Sequence, residues 1–126
     1  MIIRPQGKLD YITYLDLIAK GREVYQVGYK DLILDMSDIS EVGISGLFAL
    51  CSLALLFQDQ EPASPEEGWT GLHVMINYLR QHLSEHFKLL GPRPEIEKVL
   101  VQTGLPIYPD LSTALTSFSS GALSRN

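Results

Sequence analysis

His82 and His86 are four residues apart, a spacing that puts two imidazoles on one face of a helix and can ligate zinc, with His73 or Glu85 as further ligands. Three features weigh against a metal. The helix is expected to end near residues 84–87, there is no cysteine pair, and no glutamate follows His82 as a metalloprotease motif requires. Solvated histidines are the expectation, and no metal is assigned. Asp35 and Asp38 could form an acid–base pair, but both fall at one strand end, where carboxylates cap loops. Gly-rich phosphate loops, Gly-x-Ser-x-Gly elbows and Cys–His pairings are missing. The expectation is therefore no catalytic residue, no cofactor and no enzyme. Ser45 is the hydroxyl of most interest, because it falls at the expected start of a helix, where it would serve as a cap. Ser37 and Ser40 read as turn residues.

The 126-residue chain is about one domain's worth, with 45% apolar and 20% charged residues, an ordinary globular composition. A formal net charge of -5 disfavours nonspecific nucleic-acid binding, since the phosphate backbone repels an acidic surface. The single cysteine, Cys51, forbids an internal disulfide, which fits a reducing interior. No apolar run follows a basic start, so no signal peptide is expected and the cytoplasm is. The uncharged stretch between Glu41 and Asp59 is shorter than the about 20 residues of a spanning helix and has acidic flanks. A packed core helix is expected there, not a membrane span.

A short strand is expected at 2–4. Thr13 would cap a first helix, with Asp16 in capping-box position and Gly28 ending it. Residues 31–36 read as a buried strand, and the polar residues 37–43 as a loop. A second helix at about 44–57 is apolar all round and should be covered on most sides. An acidic loop follows, holding Asp59, Glu61, Glu66 and Glu67, and reads as solvated surface. A third helix at about 72–84 has an apolar stripe of Leu72, Met75, Ile76, Leu79 and Leu83. It should pack on the second helix or form a homodimer surface. Phe48, Phe57, Trp69 and Tyr78 are its aromatic anchor candidates, each equally at home in a core. A strand at 87–90, a helix from Pro94 to about Gly104, a strand at 106–108 and a last helix capped by Asp110 complete an α/β alternation.

Four segments together resemble the STAS domain, the fold of bacterial anti-sigma factor antagonists. They are Gly7-Lys8-Leu9-Asp10, Leu32-Ile33-Leu34-Asp35-Met36-Ser37-Asp38-Ile39, Ser45-Gly46-Leu47, and Lys88-Leu89-Leu90-Gly91-Pro92 followed by Val99-Leu100 and Thr103-Gly104-Leu105. The resemblance covers about 2–58 and 86–118. It implies a single STAS-like domain over 1–118, a small mixed sheet with helices packed on it, an extra helix inserted within about 59–85, and a flexible tail at 119–126. It leaves hardly any room for the strand that usually precedes the Gly-x-Leu-Asp segment. The family's switch loop reads Asp-Ser-Ser-Gly-Leu, its first serine accepting phosphate from a partner kinase. Here Gly43 and Ile44 stand where the aspartate and that serine would be, and Ser45 lies one residue later. The resemblance implies a bacterial, cytoplasmic regulator of transcription that docks onto an anti-sigma factor or related serine kinase through Ser40, Glu41, Gly43, Ile44, Ser45, Gly46 and Leu47. Ser45 is then the remaining candidate phosphoacceptor. The alternative is a sensor or scaffold that binds a small apolar ligand, or a second copy of itself, through the second and inserted helices.

Overall fold

The structure is a computed structural model that describes the backbone of residues 1–123 and the side chains of residues 1–117. Its centre is a four-stranded sheet in the order β1 (Ile2–Ile3), β3 (Leu32–Asp35), β5 (Phe87–Leu90), β6 (Ile107–Tyr108). The register pairs Ile2 with Ile33, Leu34 with Leu89, and Leu89 with Ile107. β2 (Gly7–Leu9) and β4 (Ile39–Val42) form a separate two-stranded sheet. Every pairing among the described residues is parallel, in place of the mixed sheet expected. Parallel neighbours need long crossovers, and the helices supply them. β5 is buried along its whole length, Lys88 included, which is why its other three residues are apolar.

The first crossover is α1 (Tyr14–Val27), which ends where expected. Gly28 has φ 112°, a left-handed turn favoured by glycine, and its N–H reaches the Tyr25 and Val24 carbonyls. The expected Thr13–Asp16 capping box does not form. Thr13 Oγ1 donates instead to the Lys8 carbonyl at 2.8 Å, and the Asp10 carboxylate accepts the Ile12 and Thr13 N–H groups at 2.9 and 3.2 Å. The Asp10 carboxylate takes the Thr13 N–H that Asp16 would have needed for the box.

α2 (Ile44–Leu56) is buried continuously from Phe48 to Leu55, as an all-apolar helix requires. α3 (Gly68–Gln81) packs on it through Leu72, Met75 and Leu79, with Ser52 Oγ 3.7 Å from Met75 Sδ. The two helices thus cover each other. α3 starts four residues before the expected 72, because Ser64 and Glu67 form a capping box around a 3₁₀ turn at Pro65–Glu67 that feeds straight into it. It stops before 84: Leu83 is exposed, and Ser84 turns inward, its hydroxyl 3.3 Å from the Phe87 carbonyl.

Two further helices, α4 (Pro94–Leu100) and α5 (Leu111–Leu123), follow β5 and β6. Asp110 caps α5 as expected, accepting the Thr113 N–H at 2.8 Å. The helix runs past the expected tail boundary at 118, and residues 124–126 of that tail lie outside the described residues. On β5, buried Lys88 donates to Ser117 Oγ at 2.7 Å, and Tyr108 Oη lies 2.9 Å from the same oxygen.

Candidate functional site

The segment expected to be a loop at 37–43 holds strand β4, and this strand builds the site. β4 pairs with β2, placing Leu9 opposite Val42. The Leu9 carbonyl then accepts the Gly43 N–H at 2.9 Å. The same oxygen lies only 2.3 Å from where a Cβ on Gly46 would stand, so residue 46 must be glycine for α2 to start this close to β2. The end of β2 and the first turn of α2 thus meet at a backbone contact, with the Leu9 side chain packed beside it.

Gly43, not Ser45, occupies the N-cap position. It offers no side chain, and the first helical bond runs from the Leu47 N–H to its carbonyl at 3.0 Å. The expected capping role of Ser45 fails because the helix begins one residue before it. α2 therefore opens with donors that no side chain caps, at the positive end of the helix. Ile44, the first helical residue, is 58% exposed. Ser45 and Leu47 are half-buried, Gly46 is buried, and Ser40 and Glu41 are exposed on β4. Glu41 lies 3.6 Å from the Lys8 ammonium.

Sequence reasoning passes over the neighbours of this turn. A Cβ placed on Gly43 would stand 4.0 Å from the Asp10 Cα, so the entry to α1 adjoins this turn. That entry carries Tyr11, Ile12 and Leu15, all large, apolar and exposed. Their signal in the sequence is two apolar side chains, Tyr11 and Ile12, in the turn before α1, and a third, Leu15, lying off the helix's inward stripe. Between this entry, the start of α2 and the start of α3 lies an apolar groove of about 280 Å³, walled by Tyr14, Ile44, Ser45 and Trp69 and floored by Phe48 and Leu72. Tyr14 meets Phe48 edge-on with ring centres 6.4 Å apart. Of the four aromatic anchor candidates, Phe48 and Phe57 are buried in the core and Tyr78 is half-buried, while Trp69 is exposed.

The remaining candidates are scattered. His82 ends α3 and stacks on Tyr78 at 4.3 Å, whereas His86 Nδ1 lies 2.7 Å from Asp31 Oδ1. The early end of α3 separates the pair from a common helix face. Among the described residues no group of three His, Cys, Asp or Glu could hold a metal ion. Asp35 accepts the Ser37 hydroxyl at 2.7 Å and N–H at 3.0 Å, the expected loop cap, and Asp38 pairs with Arg4 at 2.9 Å. Burial pushes the Asp35 carboxyl up, but the two Ser37 bonds and Arg4 outweigh it and leave it below its ordinary value. No helix among the described residues is long and apolar enough to cross a membrane.

A family model for the STAS domain matches residues 1–61, which include β2, β4 and all of α2. The resemblance read from the sequence is borne out over that segment. None of the curated proteins matches the chain. Among solved structures, the anti-sigma factor antagonist SpoIIAA in its unphosphorylated form is similar with a TM-score of 0.49 and 19% identity, over 98% of this chain and 86% of that one.

Proposed function

We propose that this chain, which carries a STAS-domain match over residues 1–61, is a regulatory docking domain of the anti-sigma factor antagonist type. It binds an anti-sigma factor, or a related serine kinase, through the Ser40–Leu47 segment and sequesters it, freeing a sigma factor for transcription in a bacterial cytoplasm. One observation carries the reading. Inside the matched segment, the first residue of α2 is an exposed isoleucine, set among other exposed apolar side chains at an uncapped helix start. Exposed apolar surface gathered in one place is the mark of a protein interface.

Ile44 also bears on regulation. A phosphate at this position would add a charge of about -1.5 to -2 to the docking surface and would be held by the helix dipole. Isoleucine has no hydroxyl, so the domain lacks the usual phosphoserine switch. Ser45 sits about 100° further round the helix and half-buried against the groove, which takes it out of the geometry set by the preceding residue.

The test is affinity capture from a lysate of the source organism with the native protein and with Ile44→Asp, followed by mass spectrometry. An anti-sigma factor or kinase of that class on the native protein and not on the variant is the expected result. Absence of any such partner on both would overturn the docking role. Stoichiometric phosphate on Ser45 in cells would overturn the lost switch.

A further inference from the structure

We propose that the groove between Ile44 and Trp69 takes one bulky apolar side chain from the partner, on a segment that carries lysine or arginine on either side of it. The proposal rests on the docking reading above and names what the partner must present.

Trp69 is the chain's only tryptophan and is 58% exposed in the first turn of α3. The helix is already fixed to α2 by Leu72, Met75 and Leu79, and the Trp69 ring meets exposed His73 of its own helix edge-on, with ring centres 4.7 Å apart, so Trp69 adds nothing to the core. Tryptophan is the residue type most enriched among interface hot spots, and this one stands across a groove from Ile44. The volume, about 280 Å³, is at the low end for small-molecule pockets and is ample for one side chain.

Charge decides among occupants. The three segments that line or adjoin the groove are 8–16, 40–48 and 64–72. Together they carry five acids, Asp10, Asp16, Glu41, Glu66 and Glu67, and one base, Lys8. Lys8 and Glu41 pair with each other, which leaves Asp10, Asp16, Glu66 and Glu67, so the segments around the uncharged groove are net acidic. A second copy of this chain would bring the same rim against itself, because a two-fold interface repeats one patch on both sides. A basic segment is attracted where a second copy is repelled.

The probe is a labelled amphipathic helical peptide of leucine and lysine, compared with its leucine-to-serine and lysine-to-glutamate counterparts. Binding is read by fluorescence anisotropy, and Trp69 emission serves as an internal reporter. The leucine–lysine peptide should bind saturably and shift the Trp69 emission, and both counterparts should fail. Trp69→Ala should weaken binding by about tenfold or more with no loss of melting temperature, which rules out simple attraction to an acidic protein. Glu66→Lys should weaken it chiefly at low salt, where screening is least. Ile44→Asp provides a second variant on the opposite wall and should weaken binding as well. Equal binding of the acidic peptide, no saturable shift, or indifference to both Trp69→Ala and Ile44→Asp would each overturn the proposal. Since the peptide assay contains no anti-sigma factor, its failure leaves the docking role standing. Failure of the lysate capture with success here would leave the groove and remove the partner class.

Discussion

Substitution at Ile44 should move binding and stability independently, and with aspartate in opposite directions. Full burial of an isoleucine side chain is worth about 1.5–3 kcal/mol. With 58% of Ile44 exposed, the share left for a partner to cover is about 1–2 kcal/mol. Ile44→Ala should therefore weaken partner binding by about fivefold to thirtyfold. The folded domain should notice little, because alanine is the better helix former and an exposed side chain is being trimmed; a change within about 0.5 kcal/mol is expected. Ile44→Asp should weaken binding further, since it also places a carboxylate under the partner, where it loses water. Yet the first turn of α2 has no side-chain cap and no acidic residue. A carboxylate there meets the positive end of the helix and should stabilise the domain by about 0.3–1 kcal/mol. Thermal or urea unfolding measures the stability, and calorimetric titration with the captured partner measures the affinity. If Ile44→Asp lowers melting temperature and affinity together, Ile44 is holding the fold. If neither variant changes affinity, the partner docks elsewhere.

Gly46→Ala should do the reverse of the Ile44 series, lowering melting temperature by an amount equivalent to about 1–3 kcal/mol, because its methyl would meet the Leu9 backbone oxygen; an unchanged melting curve would mean the strand–helix junction is soft. Burial pushes the Lys88 ammonium below its ordinary pKa of 10.5, with the charges of Asp31 and Glu85 acting the other way. Between that lowered value and 10.5 the unfolded chain holds a proton the native state has shed, so this residue makes stability rise with pH in that window. Comparing urea unfolding of the native protein and Lys88→Met across the alkaline range should show the rise flattened in the variant. Burial pushes the Cys51 thiol up to about 12, and the side chain is inaccessible. Iodoacetamide should therefore leave the native protein unlabelled and modify it at the rate of unfolding; prompt labelling would contradict the packing of α2.

The parts of the fold that are legible in the sequence are those whose signal is local. The left-handed residue that ends α1 is a glycine by steric need, the buried run at Leu32–Asp35 is bounded by turn residues, and Asp110 stands one residue before the helix it caps. β4 is not legible in this way. Within Ile39–Val42 only Ile39 is buried, so the segment looks polar, and its partner β2 is distant in sequence. What makes it a strand is pairing, which no local window contains. The start of α3 does carry a local signal, but two readings compete for it. Pro65 suggests a loop, whereas the serine before it and the glutamate two residues after it form the capping box that begins the helix early. The Ser40–Leu47 segment can be found because it is contiguous. The groove cannot, since Tyr14, Ile44 and Trp69 come together only when three helices meet.

The way the Ser40–Leu47 segment is held fixes one of its positions and leaves another open. Its anchor is one carbonyl, that of Leu9, which accepts the Gly43 N–H and fills the space a Gly46 side chain would need. A lock made of backbone constrains residue 46 tightly and residue 44 hardly at all. Position 44, exposed in the first turn of α2, could then carry a phosphorylatable or an apolar side chain on the same backbone, and under the proposed docking role a partner would sense the difference. With isoleucine there, position 44 itself has no hydroxyl to take a phosphate. Control of binding would then pass to the acidic rim, where ionic strength and competing basic segments act. A phosphoserine switch adds charge beneath the partner, whereas a rim competes for the partner's charges at its edge. The two predict different salt dependence: an Ile44→Ser protein, once phosphorylated, should lose its partner at all salt concentrations, while the native protein should release it progressively as salt rises.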